Sequence, residues 1–156
     1  MAVHLTRGGY LAIGEDLTHP RYQPVHRRLS RWGRGRGPLG RALGVDMILV
    51  TCRGRRTGVA RIVPLAAIRD EVSWLVVGSN AGKARMPSWV HNLRTDPGVS
   101  VDHRGAIARH VAREPVGAEL ERCWRLVVAV YPGFAVYRDR TDRVVPIFRL
   151  EPAAAT

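Results

Sequence analysis

A cluster of arginines is the first feature of this sequence that could do chemistry. Residues 53–58 read RGRRTG, and Arg61 follows on the next apolar run. Guanidinium groups bind phosphate and carboxylate bidentately, and glycine lets backbone N–H groups converge on an anion. The spacing therefore predicts an anion-binding turn. An ordinary solvated hairpin turn is the alternative.

A second candidate segment, residues 79–83 (SNAGK), lies between an apolar run and a predicted helix. Small residues let a backbone approach a ligand closely, and a helix N-terminus favours an anion. Trp89 and Asn92 follow, with default roles as a core anchor and a helix cap. His91 is a candidate general base, but no carboxylate stands at a usable spacing from it.

Nucleophiles and metal ligands are not arranged for catalysis in this sequence. Cys52 and Cys123 each sit in an apolar run, without a CxxC neighbour, and are expected to be small core residues. The other histidines show no metal-ligand spacing.

The bulk composition suits one soluble domain with a strong preference for anions. The chain has 156 residues and a net charge of +12, and Lys83 is the only lysine. Such a charge favours polyanionic partners, namely nucleic acid, an anionic membrane or an anionic cofactor. No apolar run reaches the length of a membrane span, and no signal peptide is evident. We expect a cytoplasmic protein.

The N-terminal extension, residues 1–44, differs in texture from the rest. Residues 25–32 predict a short basic amphipathic helix, which packs on the domain or touches a membrane surface. Residues 33–38 (GRGRGP) predict a flexible linker, with an RNA-binding Arg/Gly segment as the alternative.

From residue 45 the pattern is typical of strands. Val, Ile and Leu are concentrated in residues 47–52, 60–68, 73–78, 98–103, 106–113 and 144–150, and turn residues separate these runs. The short spacings imply antiparallel hairpins. Pro64 indicates a sheet edge or a bulge in the second strand. We expect a mainly β (α+β) fold, a small antiparallel barrel of about six strands.

Two helices accompany the predicted strands. Residues 85–94 are expected to form a short helix that Asp96 and Pro97 end. Pro115 opens a long helix after the barrel hairpins, and Pro132 and Gly133 stop it. Residues 153–156 are a tail.

Motifs along this domain resemble a known family. They are LVTCRGRRTG (residues 49–58), Arg61 with Pro64, VVGSN (residues 76–80) with Gly82, Pro87 with Trp89 and HNL (residues 91–93), and YPG (residues 131–133) with Tyr137. In order and spacing they are similar to the deazaflavin-dependent nitroreductases, actinobacterial split β-barrel proteins that use coenzyme F420. The resemblance covers residues 45–152.

The resemblance implies a split barrel related to the FMN-binding pyridoxamine-phosphate oxidases, with reduced deazaflavin as the hydride donor. It also implies roles by position. Tyr131 and Tyr137 face the substrate, where a phenol can stabilise or protonate a developing oxyanion. The implied cofactor contacts are Arg55, Arg56 and Thr57 at the phosphate and oligoglutamate tail, Arg61 and Pro64 in the same groove, Ser79, Asn80 and Gly82 at the ring or ribityl chain, and Trp89 and Asn92 in support.

The substrate side departs from the nitroreducing members. Asn80 stands where some carry lysine, Ala66 where some carry an aromatic residue, and Phe134 where some carry tyrosine. The expected acceptor is a small organic molecule, whether a quinone, an enone or a nitro compound, and the oligomer is a monomer or a homodimer. The competing hypotheses are a basic nucleic-acid or membrane-surface binding protein, and a split barrel that holds FMN or haem. No nucleic acid is expected, because aromatic residues do not interleave with the basic run.

Overall fold

The computed structural model describes residues 44–154. The predicted basic helix at residues 25–32 and the linker at residues 33–38 lie outside this part of the chain. All the described helices and strands fall between residues 46 and 152, within the domain predicted as 45–152.

Six antiparallel strands close into a barrel in the order β1-β2-β3-β6-β5-β4. This confirms the predicted mainly β, antiparallel barrel architecture. The strands are β1 (Asp46–Arg53), β2 (Ala60–Asp70), β3 (Ser73–Val77), β4 (Gly98–His103), β5 (Ala106–Arg113) and β6 (Ile147–Pro152). The helices are α1 (Ser88–Thr95), α2 (Gly117–Val130) and α3 (Gly133–Asp139), and a 3₁₀ turn spans Asn80–Gly82.

Alternating side chains fill the barrel interior. On β1, the inward-facing Ile48, Val50 and Cys52 are buried, while the residues between them are only partly covered. Helix α1 adds Trp89 and other apolar side chains to the same cluster. The sequence segment with the candidate site residues therefore also supplies part of the barrel core.

Helices α2 and α3 pack outside the barrel. Cys123 and Val127 of α2 are fully buried in a second cluster, together with Leu75 and Ile147 of the strands. Both cysteines are free and buried, as expected for core residues. Within residues 44–154, no helix is long and apolar enough to cross a membrane.

Most element positions agree with the sequence-based expectation. Strands β4 and β5 have the predicted bounds, and β2 runs two residues further than predicted, to Asp70. The last strand begins at Ile147 rather than at residue 144. The Pro146 carbonyl still accepts the N–H of Gly78 (2.8 Å), but Pro146 has no N–H to donate in return, so the regular ladder begins after it. Helix α3 was not predicted, since Pro132 and Gly133 suggest only a stop.

Candidate functional site

Strand β2 pairs on both sides over only part of its length. Pairing with β3 involves Ala67–Asp70, whereas β1 pairs along β2 from Ala60 to Ala67. Among the described residues, the first half of β2 therefore has one open edge. Pro64 lies in this half, where the sequence predicts a sheet edge. We refer to the open edge of β2, together with the loop that follows β3 (residues 78–87), as the β2 groove.

The turn at residues 53–58, called the arginine turn, leads directly into the open half of β2. The N–H of Gly58 donates to the carbonyl of Gly54 (2.7 Å), and the N–H of Gly54 donates to the carbonyl of Val59 (2.9 Å). The hydroxyl of Thr57 accepts the N–H of Val59 (3.3 Å) and so stabilises the turn itself. These bonds fix the backbone that carries Arg55 and Arg56.

Two further arginines lie against the glycines of this turn. A Cβ at Gly54 would stand 3.5 Å from Nε of Arg61, and a Cβ at Gly58 would stand 3.5 Å from the guanidinium of Arg53. Arg61 and Arg53 therefore reach the turn from strands β2 and β1. Together with Arg55, they concentrate guanidinium groups in a small volume.

The positive charge of the turn is not neutralised within the described chain. Arg53, Arg55, Arg56 and Arg61 are exposed, and none forms an ion pair with a carboxylate of residues 44–154. Arginines elsewhere differ, as in the pair of Arg94 with Glu114 (2.6 Å). Clustered cations without acidic partners are the chemistry that a polyanionic ligand requires.

Asn92 connects the arginine turn to helix α1. Its side chain is buried, and its Oδ1 accepts the backbone N–H of Arg55 (3.1 Å). Its Nδ2 donates to Sγ of Cys52 (3.7 Å), a thiol whose pKa burial raises. The interpretation of Asn92 as a helix cap is wrong, since the residue lies inside α1 and its side chain holds the turn. No sequence pattern indicated Cys52 as its partner.

The loop after β3 has an unusual backbone. Asn80, Ala81 and Gly82 have φ angles of 46°, 53° and 73°, all left-handed. The N–H of Gly82 donates to the Ser79 carbonyl (2.9 Å), and Nδ2 of Asn80 donates to the Arg85 carbonyl (2.8 Å). Left-handed non-glycine residues persist where neighbours hold them, and they cluster at functional sites.

Arg143 holds this loop from outside. Its guanidinium donates to the carbonyls of Ser79 (2.7 Å), Gly78 (3.0 Å) and Lys83 (3.0 Å). Burial lowers the pKa of Arg143, but an arginine stays charged at neutral pH. Sequence reasoning missed this residue, because an isolated arginine before the last strand carries no local signal.

Trp89 and His91 are on the same helix but in different surroundings. Trp89 is buried, and its ring meets that of Phe148 edge to face at 5.8 Å, so it is a core anchor as expected. His91 is half-buried and forms no ion pair within residues 44–154, and its carbonyl accepts the hydroxyl of Thr95 (2.9 Å). Its surroundings offer no carboxylate that would support a role as general base.

The two candidate tyrosines are paired at the junction of α2 and α3. The hydroxyl oxygens of Tyr131 and Tyr137 lie 2.9 Å apart, and the residues are 6% and 4% exposed. The ring of Phe134 packs edge-on against both. A Cβ at Gly82 would stand 2.5 Å from the Tyr137 carbonyl, so this pair adjoins the loop of the β2 groove.

These features fit a large anionic cofactor. Uncompensated guanidinium groups lie where the arginine turn leads into the β2 groove, a close-packed loop forms part of the groove, and a hydroxyl pair adjoins the loop. Residues 44–154 contain no group of three or more His, Cys, Asp or Glu side chains that could hold a metal ion. The fold and the site together define a small antiparallel barrel that presents a cluster of exposed cations to an anionic ligand.

Comparison with known proteins identifies the family. The family model described as F420H(2)-dependent quinone reductase matches residues 25–152, and the chain belongs to this family. It is 30% identical over 105 residues to an F420H(2)-dependent quinone reductase of Mycobacterium tuberculosis, an alignment that covers 64% of this chain and 69% of the relative.

Solved structures agree with this assignment. One is an F420-H2 dependent reductase with 36% identity and a TM-score of 0.63, which covers 67% of this chain and 93% of the other. A second has the same identity and TM-score, covers 67% of this chain and 79% of the other, and is described as a domain-swapped dimer.

Family membership decides between the predicted cofactors. The protein is an F420H2-dependent oxidoreductase, and its cofactor is coenzyme F420. The resemblance to a deazaflavin-dependent family is thus confirmed, in preference to the FMN, haem and nucleic-acid hypotheses.

Proposed function

We propose that this enzyme reduces a quinone, with an enone or a nitro compound as the other acceptors of this class. The relative from M. tuberculosis is named a quinone reductase, which supports a quinone as the first candidate. The single observation that carries the proposed site is the uncompensated arginine turn, which the buried Asn92 joins to helix α1. Both lie at the β2 groove.

The arginine turn binds the anionic tail of the cofactor. Arg55 and Arg56 are exposed and unpaired within residues 44–154, so they are available to phosphate and carboxylate groups. Thr57 holds the turn, while Arg61 and Pro64 lie on the open half of β2 that leads from it. Asn92 acts through the backbone of Arg55 and is therefore a positioning residue.

The loop at residues 78–87 borders the deazaflavin ring and its ribityl chain. Ser79, Asn80 and Gly82 supply the lining, and Trp89 anchors the helix beneath them. The left-handed backbone and the bonds from Arg143 keep the lining rigid. Rigid placement of a cofactor against its acceptor is the main contribution that such a protein makes to rate.

Reduced F420 supplies the hydride when it is bound. The chain then has to stabilise the charge that develops on an acceptor oxygen. Tyr131 and Tyr137 share a hydroxyl–hydroxyl contact, so one phenol can donate a proton or a hydrogen bond while its partner stabilises it. Their burial excludes water from that step.

A binding panel tests the cofactor site. The protein is titrated with F420, FMN, haem and a DNA oligonucleotide at physiological salt. F420 is expected to bind at low micromolar concentration or below. An Arg55→Gln/Arg56→Gln variant should lose about tenfold or more in affinity, since two charge-assisted contacts are removed. Tighter binding of FMN or DNA would refute the proposed site.

Replacement of Tyr131 and Tyr137 by Phe tests the proton donor. The double variant is expected to have a kcat about a hundredfold lower with a menaquinone analogue, because general-acid catalysis contributes a rate factor of about that size. F420 affinity, measured by fluorescence, should not change. Unchanged turnover would exclude the tyrosines from the reaction.

Assembly and location are part of the same proposal. The structural relative described as a domain-swapped dimer supports a homodimer over a monomer, and light scattering on the eluting protein tests this. Membrane contact through residues 25–32 and cytoplasmic location stay predictions, since that helix lies outside the described residues.

A further inference from the structure

A second basic site lies on the other face of the arginine turn. An open depression of about 240 Å³ is formed by strands β1, β2, β4 and β5 near the end of the barrel. Its size suits a small anionic group rather than a ring system. The residues that line it are Thr51, Cys52, Arg53, Gly58, Ala60, Gly98, Val99, Ser100 and Arg109.

Strand register explains why hydroxyl and guanidinium groups meet there. Thr51 on β1 pairs with Ser100 on β4, and Ser100 pairs with Arg109 on β5. Residues that are paired across a sheet project from the same face, so these side chains form one row. Arg53 lies two residues beyond Thr51 and shares its face, and its guanidinium lies against Gly58.

This depression adjoins the arginine turn and is lined mainly by β1, β4 and β5. Arg61 pairs with Cys52, a residue of the inward-facing set, whereas Thr51 and Arg53 face outward. The β1–β2 hairpin therefore carries an arginine on each of its faces. Gly58 belongs both to the arginine turn and to the lining of the depression, which makes the two sites continuous.

The charge of the depression is uncompensated as well. No carboxylate belongs to the lining, and neither Arg53 nor Arg109 forms an ion pair within residues 44–154. The carboxylate beside Gly98 is that of Asp96, and it is occupied by the N–H of Gly98 (3.1 Å). Exposed guanidinium groups next to two hydroxyls match the donors that phosphate and carboxylate oxygens require.

We propose that this depression is a second anion subsite, in which Arg109 and Arg53 bind a carboxylate or phosphate group of a polyanion. Two sources share this chemistry. One is the distal part of the oligoglutamate tail of a cofactor held by Arg55 and Arg56, which rests on the proposed function. The other is a free polyanion.

Binding measurements on the full chain distinguish these sources. F420 with one glutamate and F420 with a long oligoglutamate chain are titrated by fluorescence against wild type, Arg109→Gln, Arg53→Gln and Arg125→Gln. Arg125 is the matched control, because it is exposed on α2 and unpaired within residues 44–154. Inorganic tripolyphosphate is titrated separately by calorimetry, without F420.

If the oligoglutamate tail occupies the subsite, Arg109→Gln should lower the affinity for long-tailed F420 roughly five- to tenfold, since one charge-assisted contact is lost. The affinity of this variant for short-tailed F420 should stay within about twofold of the wild-type value. The affinities of Arg125→Gln for both forms should also stay within about twofold. Arg53→Gln should weaken the binding of both forms, because Arg53 also lies against the arginine turn, and it should weaken the long-tailed form more.

The remaining outcomes are also decisive. If Arg109→Gln lowers only the affinity for tripolyphosphate, the subsite is confirmed as one that binds a free polyanion. If Arg109→Gln and Arg125→Gln behave alike with every ligand, the subsite is refuted. If F420 does not bind the wild type at all, the proposed function fails, and the tripolyphosphate titration still decides the subsite.

Discussion

Asn92 holds the backbone of the arginine turn through its side chain, and in the proposed site it does so without touching the ligand. It is one of few buried polar residues, and both ends of its amide have partners in β1 and in the arginine turn. Spacing identified the residue, but only the fold shows its role. Its bond to the Arg55 N–H crosses 37 positions of sequence, a separation at which local patterns carry no information.

Removal of this amide tests the positioning role. Asn92→Ala leaves the Arg55 N–H without its acceptor and should reduce the free energy of unfolding by about 1–3 kcal/mol. The looser turn should also weaken F420 binding. Urea denaturation and fluorescence titration measure the two effects. Thr95→Ala is the control, since that exposed side chain bonds only within α1; equal effects from both variants would contradict the role.

At the scale of elements, the loop after β3 and helix α3 form one unit with the tyrosine pair. The loop backbone at Gly82 approaches the Tyr137 carbonyl and the side chain of Arg140 too closely for any Cβ. The small residues of this loop indicated a close backbone approach, but nothing in the sequence predicted the left-handed conformation of Ala81 or the helix that packs against the loop. A helix as short as α3 cannot show an amphipathic repeat, so it escaped prediction.

Gly82→Ala should separate these two elements. A new Cβ would lie 2.5 Å from the Tyr137 carbonyl and 2.7 Å from Cβ of Arg140. We expect a loss of about 2–4 kcal/mol in unfolding free energy, from overpacking and left-handed strain together, and lower turnover. Gly105→Ala is a matched control, because its φ is +90° but no atom lies within 4 Å of the added Cβ. The difference between the variants gives the steric part alone.

Asp70 connects three elements of the barrel. Its carboxylate accepts the guanidinium of Arg122 on α2 (2.9 and 3.2 Å) and that of Arg149 on β6. The hydrogen bond from Arg122, and then that from Arg149, hold the pKa of Asp70 below its usual value against the opposing effect of burial. The contact docks α2, whose C-terminal end leads to Tyr131, onto the strands.

The pH dependence of stability follows from this lowered pKa. A carboxyl group with a depressed folded-state pKa contributes stability above its unfolded pKa of about 3.9, and loses it as pH falls through the folded-state value. Asp70→Asn should therefore reduce the free energy of unfolding by about 3 kcal/mol at neutral pH. The difference in unfolding free energy between this variant and wild type should become smaller below pH 4. Glu114→Gln, which removes an exposed pair, should cost about 1 kcal/mol or less. Urea denaturation across pH checks both; a difference that does not depend on pH would contradict the assignment.

At the scale of the whole molecule, the barrel closes through contacts that the sequence does not encode locally. Hairpins such as β4–β5 follow from short turns, and their bounds were predicted. The closing pairs β1–β4 and β3–β6 join distant segments, and no spacing rule specifies them. For the same reason, the sequence did not predict the contacts of Arg143 or the row formed by Thr51, Ser100 and Arg109. It did predict an anion-binding role for the arginine turn, because that role follows from adjacent residue types.

The uneven distribution of charge gives the last prediction. Arg113 on β5, Arg94 on α1 and Arg122 on α2 are each paired with a carboxylate, whereas no arginine at the turn between β1 and β2 is paired within residues 44–154. Because the turn is exposed, salt screens it strongly; the Debye length falls from about 10 Å at 0.1 M to about 3 Å at 1 M. F420 affinity should therefore decrease by about tenfold or more between low and high salt.

Arg56→Gln should reduce the dependence of F420 affinity on salt, whereas Arg125→Gln, which removes the same charge from α2, should leave it unchanged. Fluorescence titration over a salt series measures the slopes, and equal slopes for the two variants would show that the overall charge of the protein, rather than the arginine turn, attracts the cofactor.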